Sequence, residues 1–171
     1  VQTAASMADL VAAADVIFLS LPGGEQLEAV CRGADGLLAF VRTGQTIVDT
    51  STSPVSLTRE LAAEFKAKSV DYADTPIART RQAAQDGTLS IMVGASDELF
   101  KRLRPLLDFM GSDVAHCGDV GCGQIVKTLN NITHKPPGFI HNLNNSLNFC
   151  PLKRKTSGHY KTYVTRANNY N

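Results

Sequence analysis

Residues 1–131 predict an α/β fold built on a doubly wound, largely parallel sheet. Three observations carry that prediction. Short runs are dense in apolar residues, amphipathic segments of helical period separate them, and the connections are brief. Near-continuous apolar runs are what strands buried on both faces require. Strands alternating with helices imply right-handed crossovers between parallel neighbours.

Ser6 followed by Asp9 has the form of a capped helix start, and the Ala-rich stretch 7–14 supplies that helix. Val16-Ile17-Phe18-Leu19-Ser20-Leu21 is the first strand, ended by Pro22-Gly23-Gly24. Stretches 25–31 and 36–41 provide short helical or irregular crossover material, and Thr46-Ile47-Val48-Asp49 is the second strand. Pro54 fits the first helical position with Ser53 as N-cap. The helix it opens runs to about Lys68, with Val55, Leu57, Leu61, Ala62 and Phe65 at helical spacing. A third strand at 70–74 is followed by a loop from 76 to 87, a fourth strand at 88–93 and a helix from 97 to about 110. Val114-Ala115-His116-Cys117 is a short fifth strand, and Gly118-Asp119-Val120-Gly121 leads into a helix through Asn131.

The formal net charge of +1 conceals a division. Residues 1–131 hold eleven basic and sixteen acidic residues (net −5), whereas 132–171 hold six basic and none acidic (net +6). Seven asparagines crowd the last 40 residues, and Ala167 is their only alanine. With Pro136-Pro137-Gly138 and neither structural period, 132–171 reads as a basic, Asn-rich tail that is irregular or disordered. The tail's charge supports only salt-sensitive, non-specific contact with nucleic acid, so no specific nucleic-acid partner is expected. The apolar stretch 10–21 is broken by Asp15 and is shorter than the roughly 20 residues of a membrane span. No leader pattern opens the chain, and a cytoplasmic location is expected. Cys31, Cys117, Cys122 and Cys150 form no C-x-x-C pair and no metal-ligand spacing, which suits reduced thiols and no metal.

Chemistry concentrates in Gly121-Cys122-Gly123-Gln124-Ile125-Val126-Lys127-Thr128-Leu129-Asn130-Asn131. The glycines permit a tight turn at a helix start. Lys127 and Asn131, four apart, share one helix face. An ammonium and an amide converging on a cleft can hold a carbonyl or oxyanion, and a partly desolvated lysine can serve as general acid or base. The plainer reading is a solvated lysine beside a capped helix. A dinucleotide fingerprint starting at Gly121 fails, because Val126 occupies the third glycine's place and no Asp or Glu follows Asp119.

The segment resembles the G-x-G-x-x-x-K-x-x-N-N motif of the β-hydroxyacid dehydrogenase family. Three further stretches match in order: Asp15-Val16-Ile17-Phe18-Leu19-Ser20-Leu21-Pro22; Asp49-Thr50-Ser51-Thr52-Ser53-Pro54; and Asp74-Thr75-Pro76 with Gly87-Thr88-Leu89 and Met92-Val93-Gly94. Together they cover essentially all of 1–131. The resemblance implies a Rossmann-type domain that binds NAD or NADP, and hydride exchange with a small anionic β-hydroxy acid or its aldehyde acid. It implies that Lys127 is the catalytic acid/base, that Asn131 and Asn130 orient the substrate, and that Leu21, Pro22, Gln26 and Thr52 line the cofactor. Turn and cap chemistry account for Leu21, Pro22 and Thr52 equally well.

The substrate loop departs from the commonest family pattern: Pro76-Ile77-Ala78-Arg79-Thr80 stands where many members read P-V-S-G-G. The Arg-Thr pair resembles sulfolactaldehyde-reductase-like members. Arg79, with Thr80 beside it, offers a planar fork suited to a carboxylate, sulfonate or phosphate; a solvent-facing loop arginine is the alternative. The resemblance also implies a partial domain over 1–131 that lacks the first βαβ unit, with the family's all-helical domain, its usual dimerisation unit, absent from 132–171. A homo-oligomer is therefore expected of the family rather than of this chain. Two functions follow as expectations: an NAD(P)-dependent oxidoreductase, or a catalytically inactive fragment from a truncated or frame-shifted gene.

Overall fold

The structure is a computed structural model that describes residues 3–133. Helix α1 (Met7–Ala13) begins at Ser6, whose Oγ accepts the Asp9 N–H at 3.1 Å and donates to the Asp9 carboxylate. This is the capped start expected from the sequence. Strand β1 (Val16–Leu19) leads to α2 (Gly24–Arg32) and α3 (Leu37–Phe40), and β2 (Thr46–Asp49) to α4 (Val55–Ala67). Then come β3 (Asp71–Asp74), β4 (Ile77–Ala78), α5 (Arg81–Gln85), β5 (Leu89–Gly94), α6 (Asp97–Leu107), β6 (Gly111–Gly118) and α7 (Cys122–Thr133).

The sheet order is β1-β2-β3-β5-β4, with β6 beside β5. Pairs β1–β2, β2–β3 and β5–β6 are parallel, so the sheet is the largely parallel α/β sheet expected. Two details differ. The stretch 76–87, expected as loop, contains β4 and α5. Strand β5 runs antiparallel to β3 and β4, in one continuous register: Asp74 opposite Gly94, Ile77 opposite Ile91, Ala78 opposite Ser90. The connection from β4 to β5 is too short for a parallel crossover, which needs roughly a dozen residues or more, so the chain returns directly.

Alternation along the strands divides the core. Ile17, Ile47 and Tyr72 share one register and face α1–α4, with Leu27, Leu61 and Phe65 fully buried against them. Val48, Ala73, Ile91 and Val93 face the other way, onto Leu99, Leu103 and Leu107 of α6. Those leucines recur at intervals of four, the stripe of a helix with one buried side. Burying each stabilises the fold by roughly 1.5–3 kcal/mol. Helix α7 packs through Cys122 and Val126 on Met92 and Ala115, opposite α6.

Helix α4 starts one residue later than a Ser53 cap would place it. Pro54 holds the cap position, and the Ser53 hydroxyl pairs with Thr58 Oγ1 at 3.0 Å instead. Cys31 and Cys117 are free, buried thiols. Helix α7 continues two residues past the change in composition. The expectations for the rest of 132–171 lie outside the described residues.

Candidate active site

The carboxyl ends of β1, β2 and β3 form one edge, and the segments leaving it are tied together by side chains. Thr50 donates both its N–H (2.8 Å) and its hydroxyl (2.7 Å) to the Leu19 carbonyl. The Leu21 N–H donates to Ser51 Oγ at 3.0 Å. Asp49, fully buried, accepts the Ser51 N–H on Oδ1 and the Tyr72 hydroxyl on Oδ2, both at 2.9 Å. Burial raises the Asp49 carboxyl, and the bonds from Ser51 and Tyr72 oppose that rise. Burial and the adjacent Asp49 push the Tyr72 phenol upward, so it stays a donor, stacked on Phe65 at 5.7 Å between ring centres. These contacts hold the backbone at Leu21 against Ser51; Leu21 is half-buried, and Pro22 and Thr52 are exposed. Gln26 is exposed on α2.

Asp74 ends β3 with no exposed surface. Its Oδ1 accepts the Gly121 N–H at 2.6 Å and its Oδ2 the Gln124 N–H at 2.9 Å. A carboxylate here satisfies amides that a helix start leaves unpaired and complements its positive end. Burial nonetheless pushes the Asp74 carboxyl up to about 7, against the pull of those two amides. Gly121 adopts φ +92°, a conformation glycine reaches without steric cost. A Cβ at Gly123 would lie 2.8 Å from Asp74 Oδ2 and would strike the Met92 carbonyl. The two glycines thus let α7 start directly against the strand ends.

Gln124, 1% exposed, spans from α7 to the segment after β2: its Nε2 donates to the Ser51 carbonyl at 2.8 Å and its Oε1 accepts the Ser53 N–H at 3.2 Å. Lys127 follows three residues later, half-buried, and burial lowers its ammonium below the ordinary lysine value. Asn130 is half-buried and Asn131 exposed, the latter on the Lys127 side of the helix.

The substrate-loop residues are arranged differently. Ala78 and Val126 each pack against the apolar cluster of Met92, Cys117 and Cys122. The Arg79 side chain, however, leaves a backbone of φ +88° and donates to the Thr88 carbonyl at 2.8 Å and to Ser112 Oγ at 3.3 Å, with Asp113 at 3.9 Å. Thr80 Oγ1 accepts the Ala83 N–H at 3.3 Å and caps α5. The structure therefore ties the Leu21 backbone to Ser51, and the residues flanking Thr52 to the helix of Lys127 through Gln124. It sends the Arg79 guanidinium to the amino ends of β5 and β6.

Asp49, Tyr72, Asp74 and Gln124 were not singled out from the sequence as individual site residues. Asp49-x-Ser51 carried the one local signal, a side chain that bonds its own backbone two residues on. A groove lined by Arg59, Lys66, Asp71, Ser96 and Asp119 mixes both charges; Tyr72 also lines it, but none of the candidate residues expected from the sequence does. Among the described residues no group of three His, Cys, Asp or Glu is placed to hold a metal ion, and no helix is long and apolar enough to cross a membrane.

The sequence profile of the NAD-binding domain of 6-phosphogluconate dehydrogenase matches residues 1–118. The chain is 41% identical over 123 residues to 2-(hydroxymethyl)glutarate dehydrogenase of Eubacterium barkeri, covering 72% of this chain and 41% of that enzyme. The fold superposes on 3-hydroxyisobutyrate dehydrogenase of Mycobacterium tuberculosis, solved with L-serine, at a TM-score of 0.71 and 32% identity, covering 75% of this chain and 43% of that one. It superposes on Psf3, solved in complex with NADP+ and 2-OPP, at a TM-score of 0.73 and 31% identity, covering 76% and 46%. The chain spans about 40% of the length of curated relatives.

Proposed function

The chain belongs to the β-hydroxyacid dehydrogenase family, by way of its NAD-binding domain, and from that premise we propose that Lys127 is the general acid/base of an NAD(P)-dependent oxidation of a small anionic β-hydroxy acid. The observation that carries this reading is a half-buried lysine with a lowered ammonium, on a helix whose first turn Asp74 docks against the strand ends. Dinucleotides lie at the carboxyl edge of such sheets. There the half-buried Leu21 and the exposed Pro22 and Thr52 make an apolar floor with one hydroxyl, which fits a nicotinamide riboside, and Gln26 extends that edge along α2. The family supplies NAD or NADP, which takes up or returns the hydride.

In the oxidative direction the neutral Lys127 amine accepts the hydroxyl proton as the carbinol carbon gives up its hydride, leaving a carbonyl. In reduction the ammonium returns that proton to the carbonyl oxygen. Asn130 and Asn131, on the following turn, orient the substrate's hydroxyl and carboxylate. Arg79 and Thr80 receive its anionic end, with the guanidinium exchanging Asp113 for the substrate anion and the Thr80 hydroxyl donating. Fluorescence titration with NADH and NADPH, then assay of short β-hydroxy acids, tests the proposal. Saturable binding with turnover that Lys127→Met removes is the expected result; no binding of either dinucleotide at millimolar concentration overturns it for this chain.

A further inference from the structure

We infer that Gln124 is a positioning residue that couples the two halves of the site, holding the Thr52 segment and the Lys127 helix in one register. The inference rests on the dehydrogenase reading for its purpose, but its geometry stands alone. The Ser51 carbonyl and the Ser53 N–H flank Thr52, and one planar amide satisfies both. Among uncharged side chains only Asn and Gln present a donor and an acceptor side by side in this way. Ser51 and Ser53 are buried whereas Thr52 between them is exposed, so the grip leaves the Thr52 side chain facing away from α7.

Both ends of the link are themselves anchored. The Gln124 N–H is held by Asp74 Oδ2 at 2.9 Å, and its carbonyl accepts the Thr128 hydroxyl at 2.9 Å. On the other side, Asp49 grips the Ser51 N–H at 2.9 Å from within the sheet. Segment 51–53 is thus clamped between β2 and α7, and the Gln124 amide is the part of the clamp that belongs to the helix carrying Lys127. A shift of the segment must move the helix, break the amide's bonds or strand a buried polar group. Hydride and proton transfer occur at adjacent atoms of one substrate, so a fixed spacing between these two elements is what the chemistry needs.

The test uses the full 171-residue chain with Gln124→Met, which keeps the volume and removes both bonds, and Gln124→Glu, which keeps the acceptor and removes the donor. Amide exchange at Ser53 is read by NMR, and the Lys127 titration midpoint from isotope-labelled dimethyl-lysine. In Gln124→Met the Ser53 amide is expected to exchange about tenfold faster or more while β2 and β3 amides hold. The Lys127 midpoint is expected to rise towards the ordinary lysine value as its helix loosens and the ammonium is resolvated. In Gln124→Glu only Ser53 exchange is compared, because a carboxylate one turn before Lys127 raises its midpoint by charge alone; Gln124→Leu carries the test if Gln124→Met does not fold. Faster exchange at Ser53 with an unmoved Lys127 midpoint overturns the coupling and leaves a local staple. A parallel NADH titration separates the two claims: loss of NADH binding by the wild-type chain sinks the dehydrogenase reading, while the NMR pair alone decides the coupling.

Discussion

Asp74 and Gly121 lie 47 residues apart and meet at 2.6 Å, carboxylate to amide, where β3 ends and the helix of Lys127 begins. The same carboxylate holds the Gln124 N–H, so one buried acid seats the first turn of that helix. Burial lifts its pKa from 3.8 to about 7. A carboxyl raised in the folded state binds more protons there than in the unfolded chain. Its contribution to stability is therefore full below about pH 4 and lost as pH rises through 7. Asp74→Asn removes that dependence. Urea midpoints measured from pH 4 to 8 are expected to show the variant gaining on the wild type as pH increases; parallel curves would contradict the assignment.

Lys127 makes the opposite demand on pH. Its lowered ammonium favours the neutral base, so kcat/KM for oxidation should climb with pH through the Lys127 pKa, and that for reduction should fall. Lys127→Met should cost about 10²–10⁴-fold in kcat with dinucleotide affinity retained. Steady-state pH profiles in both directions check the sign.

Arg79 is held by Thr88, Ser112 and Asp113. If its fork receives the substrate anion, Arg79→Ala should raise KM for anionic substrates about 10- to 100-fold, the worth of a hydrogen bond to a charged group. KM for the corresponding methyl esters should hardly change. A loss of stability with constant KM for the acids would assign Arg79 to the β5–β6 edge instead.

Tyr72→Phe keeps the stack on Phe65 but leaves Asp49 Oδ2 without its 2.9 Å donor. Loss of that bond inside the core should cost about 1–3 kcal/mol in urea unfolding. Because Asp49 also grips Ser51, dinucleotide affinity should weaken as well. Calorimetry on the same samples separates the two effects.

Much of the fold was legible because its signals are local. Apolar runs marked the strands, helical spacing marked α4, and Ser6 marked its own cap. Gly121 to Asn131 announced a helix start followed by a lysine. The sequence misplaced the features that depend on chain length and distant partners. The antiparallel return of β5 beside β4 follows from a connection too short to cross over. Ser53, with the composition of a cap, gave its hydroxyl to Thr58 and its N–H to Gln124.

By itself the sequence determined the fold class, the family, and the helix that bears Lys127, since each depends on residues within a few turns of one another. Tertiary structure alone decided how that helix is seated: Asp74 under Gly121, Gln124 across to Ser51 and Ser53, Tyr72 onto Asp49. Those contacts join residues 23 to 73 apart. Buried polar groups must pair where the fold brings them together, and no local period encodes which distant group that will be.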